Sequence, residues 1–149
     1  MDTGRRFPPF WQQVPGKRLV YVKCVTAVIL AHARGGNLIY HGNVGHLLLS
    51  EISQVLRVRV IADMQYRTEA AMKSLNVERE EAVAYIQRVD KHRSRWARLL
   101  YGVDWEDPSL YDLMLNLGSV SEESACETIV RMSEQKEFQP TPENQKRFE

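Results

Sequence analysis

Cysteine is scarce in this chain of 149 residues, which contains only Cys24 and Cys126. The disulfide frameworks that stabilise small secreted domains need more cysteines than this. Both cysteines have apolar neighbours in segments predicted to be helical, so we expect buried free thiols in a reducing compartment. Neither cysteine stands at a metal-ligand spacing from any of the four histidines, and we therefore predict no metal site.

Long hydrophobic runs are also missing. The main apolar stretch, residues 19–33, is interrupted by Lys23 and Thr26 and is too short to span a bilayer. Residues 1–15 contain two arginines and three prolines, without the apolar segment that a secretory signal requires. These features predict a cytoplasmic protein without a membrane partner.

Neither sign of charge is in excess. The chain has 20 basic and 19 acidic residues, for a net charge of +1. A chain of this balance has no general attraction for nucleic acids, which weighs against nucleic acid as a partner. Length and composition predict one globular domain over residues 17–136, with an irregular arm at 1–16 and a linker or tail at 137–149.

A phosphate-binding loop is absent from the sequence. No Gly-x-x-x-x-Gly-Lys-Ser/Thr motif occurs, and the only Gly-Lys pair, Gly16-Lys17, is followed by Arg18. That motif surrounds a triphosphate with backbone N–H groups and supplies a lysine and a magnesium-bound hydroxyl. These 149 residues therefore lack the usual triphosphate cradle.

The first half of the domain alternates between helix and strand patterns. An apolar period of 3.6 predicts a helix over residues 17–34, and a short apolar run predicts a buried strand over 37–41. A glycine turn at residues 42–45 then opens a short helix. The β-branched run at 56–62 predicts a second strand, and the spacing of the two strands predicts a parallel βαβ unit.

The second half continues the alternation. Asp63 is a candidate N-cap for a helix over 64–75, and Asn76 for a longer helix over 77–101 that stops at Gly102. A third strand is expected at 111–117, followed by a helix from 122 to about 136 that Ser119 or Ser121 opens. Strands alternating with helices predict an α/β fold with a small parallel sheet.

The long helix concentrates positive charge in its second half. Residues 88–98 contain five basic side chains and one acidic side chain. Helical spacing places Arg88, Lys91 and Arg95 on one side. It places Val89, Trp96, Leu99 and Leu100 on a different, apolar side of the same helix. Such a cluster is either a solvated surface or a lid that binds phosphate groups, because the arginine fork matches phosphate oxygens.

Several segments together resemble the cytidylate kinase-like family of nucleoside monophosphate kinases, over roughly residues 17–135. They are residues 40–46 (YHGNVGH), 55–62 (VLRVRVIA), 66–67, the basic helix 88–98 and 101–113 (YGVDWEDPSLYDL). The last segment is the most specific, because neither helix nor strand propensity explains its combination of aromatic and acidic residues.

The resemblance implies a three-layer P-loop-kinase-like fold, here without the P-loop strand. It implies catalytic lid residues Arg88, Arg93, Arg95 and Arg98. It implies nucleotide-binding residues Gly42, Asn43, Gly45, Arg67 and Asp104. An intact family member would use ATP and magnesium and accept a nucleoside monophosphate. Independently of the resemblance, Asp104, Glu106, Asp107 and Asp112 could each supply a carboxylate for magnesium or a base. Equally, Asp107-Pro108 is a common turn opener that Asp112 could cap.

The sequence also departs from the family pattern. Besides the missing loop, Asn43 stands where the family usually has an arginine for the acceptor phosphate. We therefore expect a CMP-type kinase-like domain that retains the lid and acceptor side but cannot transfer phosphate alone. The arm at residues 1–16, a second copy of the chain or a missing upstream segment would cover the exposed sheet edge.

Two alternatives remain open. One is a non-catalytic module for self-association or regulation. The other is binding of single-stranded nucleic acid along residues 88–98, with Trp96 or Trp105 stacking on bases. The kinase interpretation requires the basic helix to face a cleft floored by the turn at 42–45.

Overall fold

The computed structural model describes residues 16–33, 38–42, 45–49, 52, 54–139 and 141. The predicted arm, apart from Gly16, and most of the predicted tail lie outside these residues. The elements are α1 (Gly16–Ala33), α2 (Gly45–Leu48), β1 (Val58–Ile61), α3 (Met64–Leu75), α4 (Arg79–Tyr101), β2 (Leu113–Asn116) and α5 (Glu122–Ser133), with 3₁₀ turns at Pro108–Leu110 and Lys136–Phe138.

The two strands form a small parallel sheet. Val58 lies opposite Leu113, and the register continues to Ile61 opposite Asn116. Helices α3 and α4 form the crossover between the strands, and they pack against each other. The predicted α/β class with a small parallel sheet is therefore confirmed, with two strands in the described part of the chain.

The predicted strand at 37–41 is wrong for the residues that are described. Residues 38–41 form no strand, and Ile39 is 94% exposed. Only three apolar residues support this segment, and a strand is stable only where a neighbouring strand accepts its backbone hydrogen bonds. The predicted βαβ unit between 37–41 and 56–62 is consequently wrong, because β1 pairs with β2 instead.

The helix ends follow local side-chain chemistry. Asp63 caps α3 as predicted, accepting a hydrogen bond of 2.8 Å from the Tyr66 backbone N–H. Asn76 does not cap α4. It ends α3 in the left-handed conformation, with φ 53°, which asparagine tolerates better than most residues. Glu78 occupies the N-cap position of α4.

The other two predicted end signals are confirmed. Gly102 ends α4 with φ 65°, and its N–H bonds to the carbonyl of Arg98. Ser121 opens α5 by accepting a hydrogen bond from the Ser124 N–H. Helix α5 stops at Ser133, however, and a short 3₁₀ turn takes the place of its predicted last residues.

The buried face of α1 is narrow. Val22 and Ile29 are buried seven residues apart on one side, whereas Val28 and His32 are exposed. Val22 packs against Leu100 and Tyr101 at the end of α4. The core of the described residues therefore includes the contact between α1 and the last turn of α4.

Both cysteines are free, as predicted, but neither is buried. Cys24 points away from the Val22 side of α1, and in α5 the buried position is taken by Ala125. The prediction of buried thiols is therefore wrong. Among the described helices, none combines the length and apolar character needed to cross a membrane.

Candidate functional site

The outward face of α4 carries a continuous row of cations. Arg88, Lys91, Arg95 and Arg98 follow one another at intervals of three and four residues, and all four are exposed. We call these four residues the cationic stripe. None of them forms an ion pair with another described residue. The stripe is thus a set of positive charges without a carboxylate partner in that part of the chain.

Arg93 lies on the opposite side of α4. It is half-buried and lies on the same inward-facing side as the buried residues Ala82, Ile86, Ala97 and Leu100. Its Nε atom is buried and has no hydrogen-bond partner among the described residues. The four predicted lid residues therefore divide into three that face outward and one that faces the protein.

The apolar side predicted for α4 is partly wrong. Trp96 and Leu99 are 49% and 53% exposed, next to the cationic stripe, while Leu100 is buried as expected. Small residues explain the difference. Ala82 and Ala97 occupy the buried row, where short side chains let α4 approach its neighbours closely.

Arg67 is already engaged by a carboxylate. Its Nη2 atom lies 2.8 Å from Oδ1 of Asp90, so the pair links α3 to α4. The hydrogen bond that Arg67 donates to Asp90 is the main reason that the pKa of Arg67 is raised. A nucleotide contact by Arg67 would have to replace this pair.

The glycine turn is covered by an aromatic ring. A side chain added at Gly42 or Gly45 would overlap the ring of Tyr40, so the ring would have to shift. Asn43 lies outside the described residues. The turn therefore approaches Tyr40 closely on both sides of position 43.

Tyr40 also connects the turn to α4. Burial raises the pKa of Tyr101, and the nearby Tyr40 raises it further. Leu47 and Leu48 of α2 pack on the Leu100 and Tyr101 cluster. The last turn of α4 and the glycine turn are thus neighbours.

The cationic stripe runs away from that contact. At about 1.5 Å per residue, Arg98 lies about 5 Å along the helix axis from Tyr101 and Arg88 about 20 Å. Arg98 and Arg95 are consequently the lid candidates nearest to Gly42 and Gly45 along α4, and Arg88 is the farthest.

The loop after α4 holds its acidic groups by hydrogen bonds. Oδ1 of Asp104 accepts from the Glu106 backbone N–H at 3.0 Å, and Asp104 remains exposed. Oδ1 of Asp107 accepts from the Ser109 N–H at 2.8 Å. Asp104 therefore serves as a turn residue, and its exposed side leaves room for a ligand contact.

A cluster that sequence reasoning missed surrounds Arg59 of β1. The guanidinium lies over the Trp105 ring, with 4.5 Å between its Cζ and the ring centroid, and over the Tyr111 ring at 5.5 Å. It donates to the Trp105 carbonyl at 2.6 Å, and Tyr111 Oη donates to the same oxygen at 2.7 Å. The Arg59 side chain is only 11% exposed.

His46 completes this cluster from α2. Its ring stacks on Tyr111 with 4.7 Å between centroids, and its Nε2 atom is buried without a hydrogen-bond partner among the described residues. Burial lowers the pKa of His46 to about 4, and the charges of Arg57 and Arg59 add to the effect. His46 is therefore neutral near pH 7. The sequence signals for this cluster were the alternating arginines of the strand and the aromatics of residues 101–113.

The described residues do not fit a magnesium–ATP complex. They include no group of three His, Cys, Asp or Glu side chains that could hold a metal ion. The sequence also lacks the loop that would cradle a triphosphate. What the site offers is an unpaired cationic stripe whose Arg98 end is the nearer to the glycine turn along α4.

The fold and the stripe together define an α/β domain with an unpaired cationic helix face. A family model described as the cytidylate kinase-like family matches residues 14–119, and the chain belongs to that family. The match covers α1 through β2 and ends before α5, so it includes every predicted site residue.

Two similar proteins place this membership in context. A cytidylate kinase from Ignicoccus hospitalis is 26% identical over 110 residues, covering 72% of this chain and 62% of the relative. The chain thus spans less than two thirds of that relative's length. The crystal structure of an uncharacterized protein from Eubacterium ventriosum superimposes with a TM-score of 0.72 at 19% identity. That match covers 89% of this chain and 75% of the other, and it supports the fold alone.

Proposed function

We propose that this chain is a nucleotide kinase-like domain that binds a nucleoside monophosphate of the CMP type and cannot transfer phosphate alone. The cationic stripe carries the proposal, because it has no carboxylate partner among the described residues. The arginines at 57, 59 and 67 are each paired with an acid. Family membership and the curated cytidylate kinase relative support the choice of ligand.

In this proposal the stripe acts as the lid. Arg95 and Arg98 contact the phosphate of the nucleotide, because they are nearest the glycine turn, and Arg88 extends the positive field. Arg93 faces inward and contributes charge from beneath the lid. Guanidinium forks suit this task since they bind two phosphate oxygens at once.

The acceptor side is the turn that contains Gly42, Asn43 and Gly45. Asn43 can hydrogen-bond a base or a sugar but cannot neutralise a phosphate, so the phosphate charge falls to the α4 arginines. Arg67 and Asp104 have smaller parts, since the first is held by Asp90 and the second by the Glu106 N–H.

The fold in this proposal is the three-layer P-loop-kinase-like architecture without its P-loop strand. Phosphate transfer requires groups that cradle the triphosphate donor, and these 149 residues lack the motif that provides them. A further segment or a second copy would complete the sheet, and in intact family members ATP and magnesium would then serve as co-substrate and cofactor.

Isothermal titration tests the binding role. CMP should bind the wild-type chain, and the Arg95→Gln/Arg98→Gln double variant should bind it at least tenfold more weakly. The matched control is Arg79→Gln/Arg131→Gln, which removes the same charge from exposed positions outside the stripe. No heat with CMP, ATP or their magnesium complexes would refute a retained nucleotide site.

A coupled assay tests the inactivity separately. The chain, mixed with CMP, ATP and magnesium, should form no ADP above the buffer rate. Sustained ADP formation that scales with protein concentration would contradict the proposed inability to transfer phosphate.

A second candidate function is a non-catalytic module for self-association or regulation. It is favoured by apolar side chains left exposed near the sheet and the turn, namely Leu38, Ile39, Val60 and Met114. Exposed apolar groups beside open strand edges are typical of association surfaces. Light scattering that shows a stable dimer, together with no affinity for nucleotides, would favour this candidate over the first.

A further inference from the structure

The outward face of α4 carries aromatic side chains directly beside the cationic stripe. Tyr85, His92 and Trp96 are exposed at intervals of seven and four residues, and Leu99 follows on the same side. We call Tyr85, His92 and Trp96 the aromatic stripe. Two parallel rows, one aromatic and one cationic, thus share the solvent side of a single helix.

The two rows already contact each other. The Cζ atom of Arg88 lies 5.7 Å from the centroid of the Tyr85 ring, within the range of a cation–π interaction. The guanidinium lies over one face of the Tyr85 ring, and a flat guanidinium is itself a surface on which another ring can stack. Trp96 is half-exposed and offers a second such surface about three helical turns after Tyr85.

No acid among the described residues forms an ion pair with the cationic stripe. Near-zero net charge and the acidic segment after α4 were the sequence-level reasons to disfavour nucleic acid. Most of those acids are bonded elsewhere: Asp90 to Arg67, Asp104 to the Glu106 N–H, Glu106 to Arg59, Asp107 to the Ser109 N–H and Asp112 to Arg57. The positive charges of the stripe have no comparable partners among the described residues.

The dimensions of the stripe suit a short nucleotide strand. Arg88 to Arg98 covers ten residues, or about 15 Å of helix axis. A stacked strand advances about 3.4 Å per nucleotide, so four or five phosphates can lie along the four cations. Tyr85 and Trp96 are about 16 Å apart, which places one ring near each end of that strand.

We propose that the outward face of α4 binds single-stranded nucleic acid. The backbone phosphates lie on Arg88, Lys91, Arg95 and Arg98, while bases stack on Trp96 and Tyr85. Stacking accepts any base, so this contact has little sequence preference. The aromatic stripe distinguishes the site from a lid for one monophosphate, which requires the arginines but no stacking surface.

Fluorescence anisotropy with a labelled eight-nucleotide oligothymidylate tests the proposal on the full chain. Four phosphate contacts predict a slope of about −3 for the logarithm of the binding constant against the logarithm of salt concentration. Arg88→Gln/Arg95→Gln should weaken binding at least tenfold, whereas the control Arg79→Gln/Arg131→Gln should change it less than twofold.

The aromatic contact has its own variants. Trp96→Ala should weaken binding about tenfold, within the range that one stacked base contributes. Trp96→Phe should retain most of the affinity, and the exposed apolar control Leu99→Ala should change it less than twofold. Circular dichroism melts of each variant confirm that it is folded.

Several outcomes would overturn the proposal. They are no binding at 50 mM salt, equal effects of the stripe and control variants, or an unchanged affinity in Trp96→Ala. Dissociation of an oligomer by Arg88→Gln/Arg95→Gln, without any oligonucleotide binding, would instead make the face a protein interface. CMP titrations of Trp96→Ala separate this proposal from the monophosphate site, because CMP affinity should stay within twofold.

Discussion

Arg57 and Asp112, which directly precede β1 and β2, hydrogen-bond to each other and join the two strands where they begin. Oδ2 of Asp112 accepts from the Arg57 backbone N–H at 2.8 Å and from its Nε at 2.9 Å, while Oδ1 accepts from Nη2 at 2.8 Å. The Asp112 N–H returns a bond of 2.9 Å to the Arg57 carbonyl. One carboxylate therefore fixes the parallel register at the start of the sheet.

The first prediction concerns this link. Asp112→Ala leaves the Arg57 backbone N–H and guanidinium without their acceptor, so the free energy of unfolding should fall by about 1 to 3 kcal/mol. Urea unfolding followed by circular dichroism measures the change. Glu127→Ala, at an exposed position of α5, is the control and should change stability by less than about 0.5 kcal/mol. An equal effect of both variants would contradict a structural role for Asp112.

The second prediction is a pH dependence caused by His46. Its folded-state pKa, about 4, lies below the ordinary value of 6.5, so between these values the unfolded chain binds a proton that the folded chain does not. The stabilising contribution is complete above pH 6.5 and is lost as the pH falls toward 4. We expect a loss of about 1 kcal/mol per pH unit in that window.

His46→Phe isolates this effect, because phenylalanine can keep the stack on Tyr111 but does not titrate. The difference in unfolding free energy between wild type and variant, measured at steps from pH 7 to pH 4, should shift steadily in favour of the variant. A difference that stays constant over this range would show that His46 titrates normally in the folded chain.

The third prediction concerns the end of α4. Gly102 has φ 65°, where a Cβ atom costs about 1 to 2 kcal/mol. Gly102→Ala should therefore lower the melting temperature by about 3 °C for each kcal/mol. Gly102→Asn should cost less, since asparagine tolerates this conformation better than alanine. A melting temperature that alanine leaves unchanged would mean that α4 ends differently in solution.

The fourth prediction separates Arg67 from the cationic stripe. Arg67→Gln removes the ion pair with Asp90 and should lower stability by about 1 kcal/mol. In the Asp90→Asn background the same substitution should cost clearly less, because the partner charge is already gone. CMP affinity, measured by titration, should fall clearly less in Arg67→Gln than in Arg95→Gln/Arg98→Gln, in keeping with the smaller part of Arg67. A loss of CMP binding as large as that of Arg95→Gln/Arg98→Gln would assign Arg67 to the nucleotide instead.

Local signals in the sequence were sufficient to define most helices. The bounds of α3 agree with the prediction at both ends. Asp63 explains the agreement at the first end, because it is a strong cap whose effect is confined to a few residues. Gly102 ended α4 for the same reason. Such signals depend only on neighbouring residues in the chain, so the packing of the rest of the fold does not change them.

Signals that depend on distant partners were less reliable. Residues 38–40 are apolar enough for a strand, yet a strand needs hydrogen bonds from a neighbour that a local pattern cannot identify. The prediction of the buried side of α4 was partly wrong for a related reason. Trp96 and Leu99 are large and apolar, but the buried side of α4 carries Ala82 and Ile86, and the sequence does not say which side is buried.

The candidate site shows the same division. Periodicity alone identified the row of Arg88, Lys91 and Arg95. The surroundings of Arg59 could not be predicted because they join β1 to Trp105 and Tyr111, more than forty residues later. Whether a cation is available to a ligand depends on which acids reach it, and that is a property of the folded chain.

The ring of Tyr40 stands where the glycine turn meets the end of α4. A Cβ atom added at Gly42 or Gly45 would overlap that ring, and Tyr40 is near enough to Tyr101 to raise its pKa. A larger residue at either glycine would therefore displace Tyr40 first, and with it the neighbour of the last turn of α4.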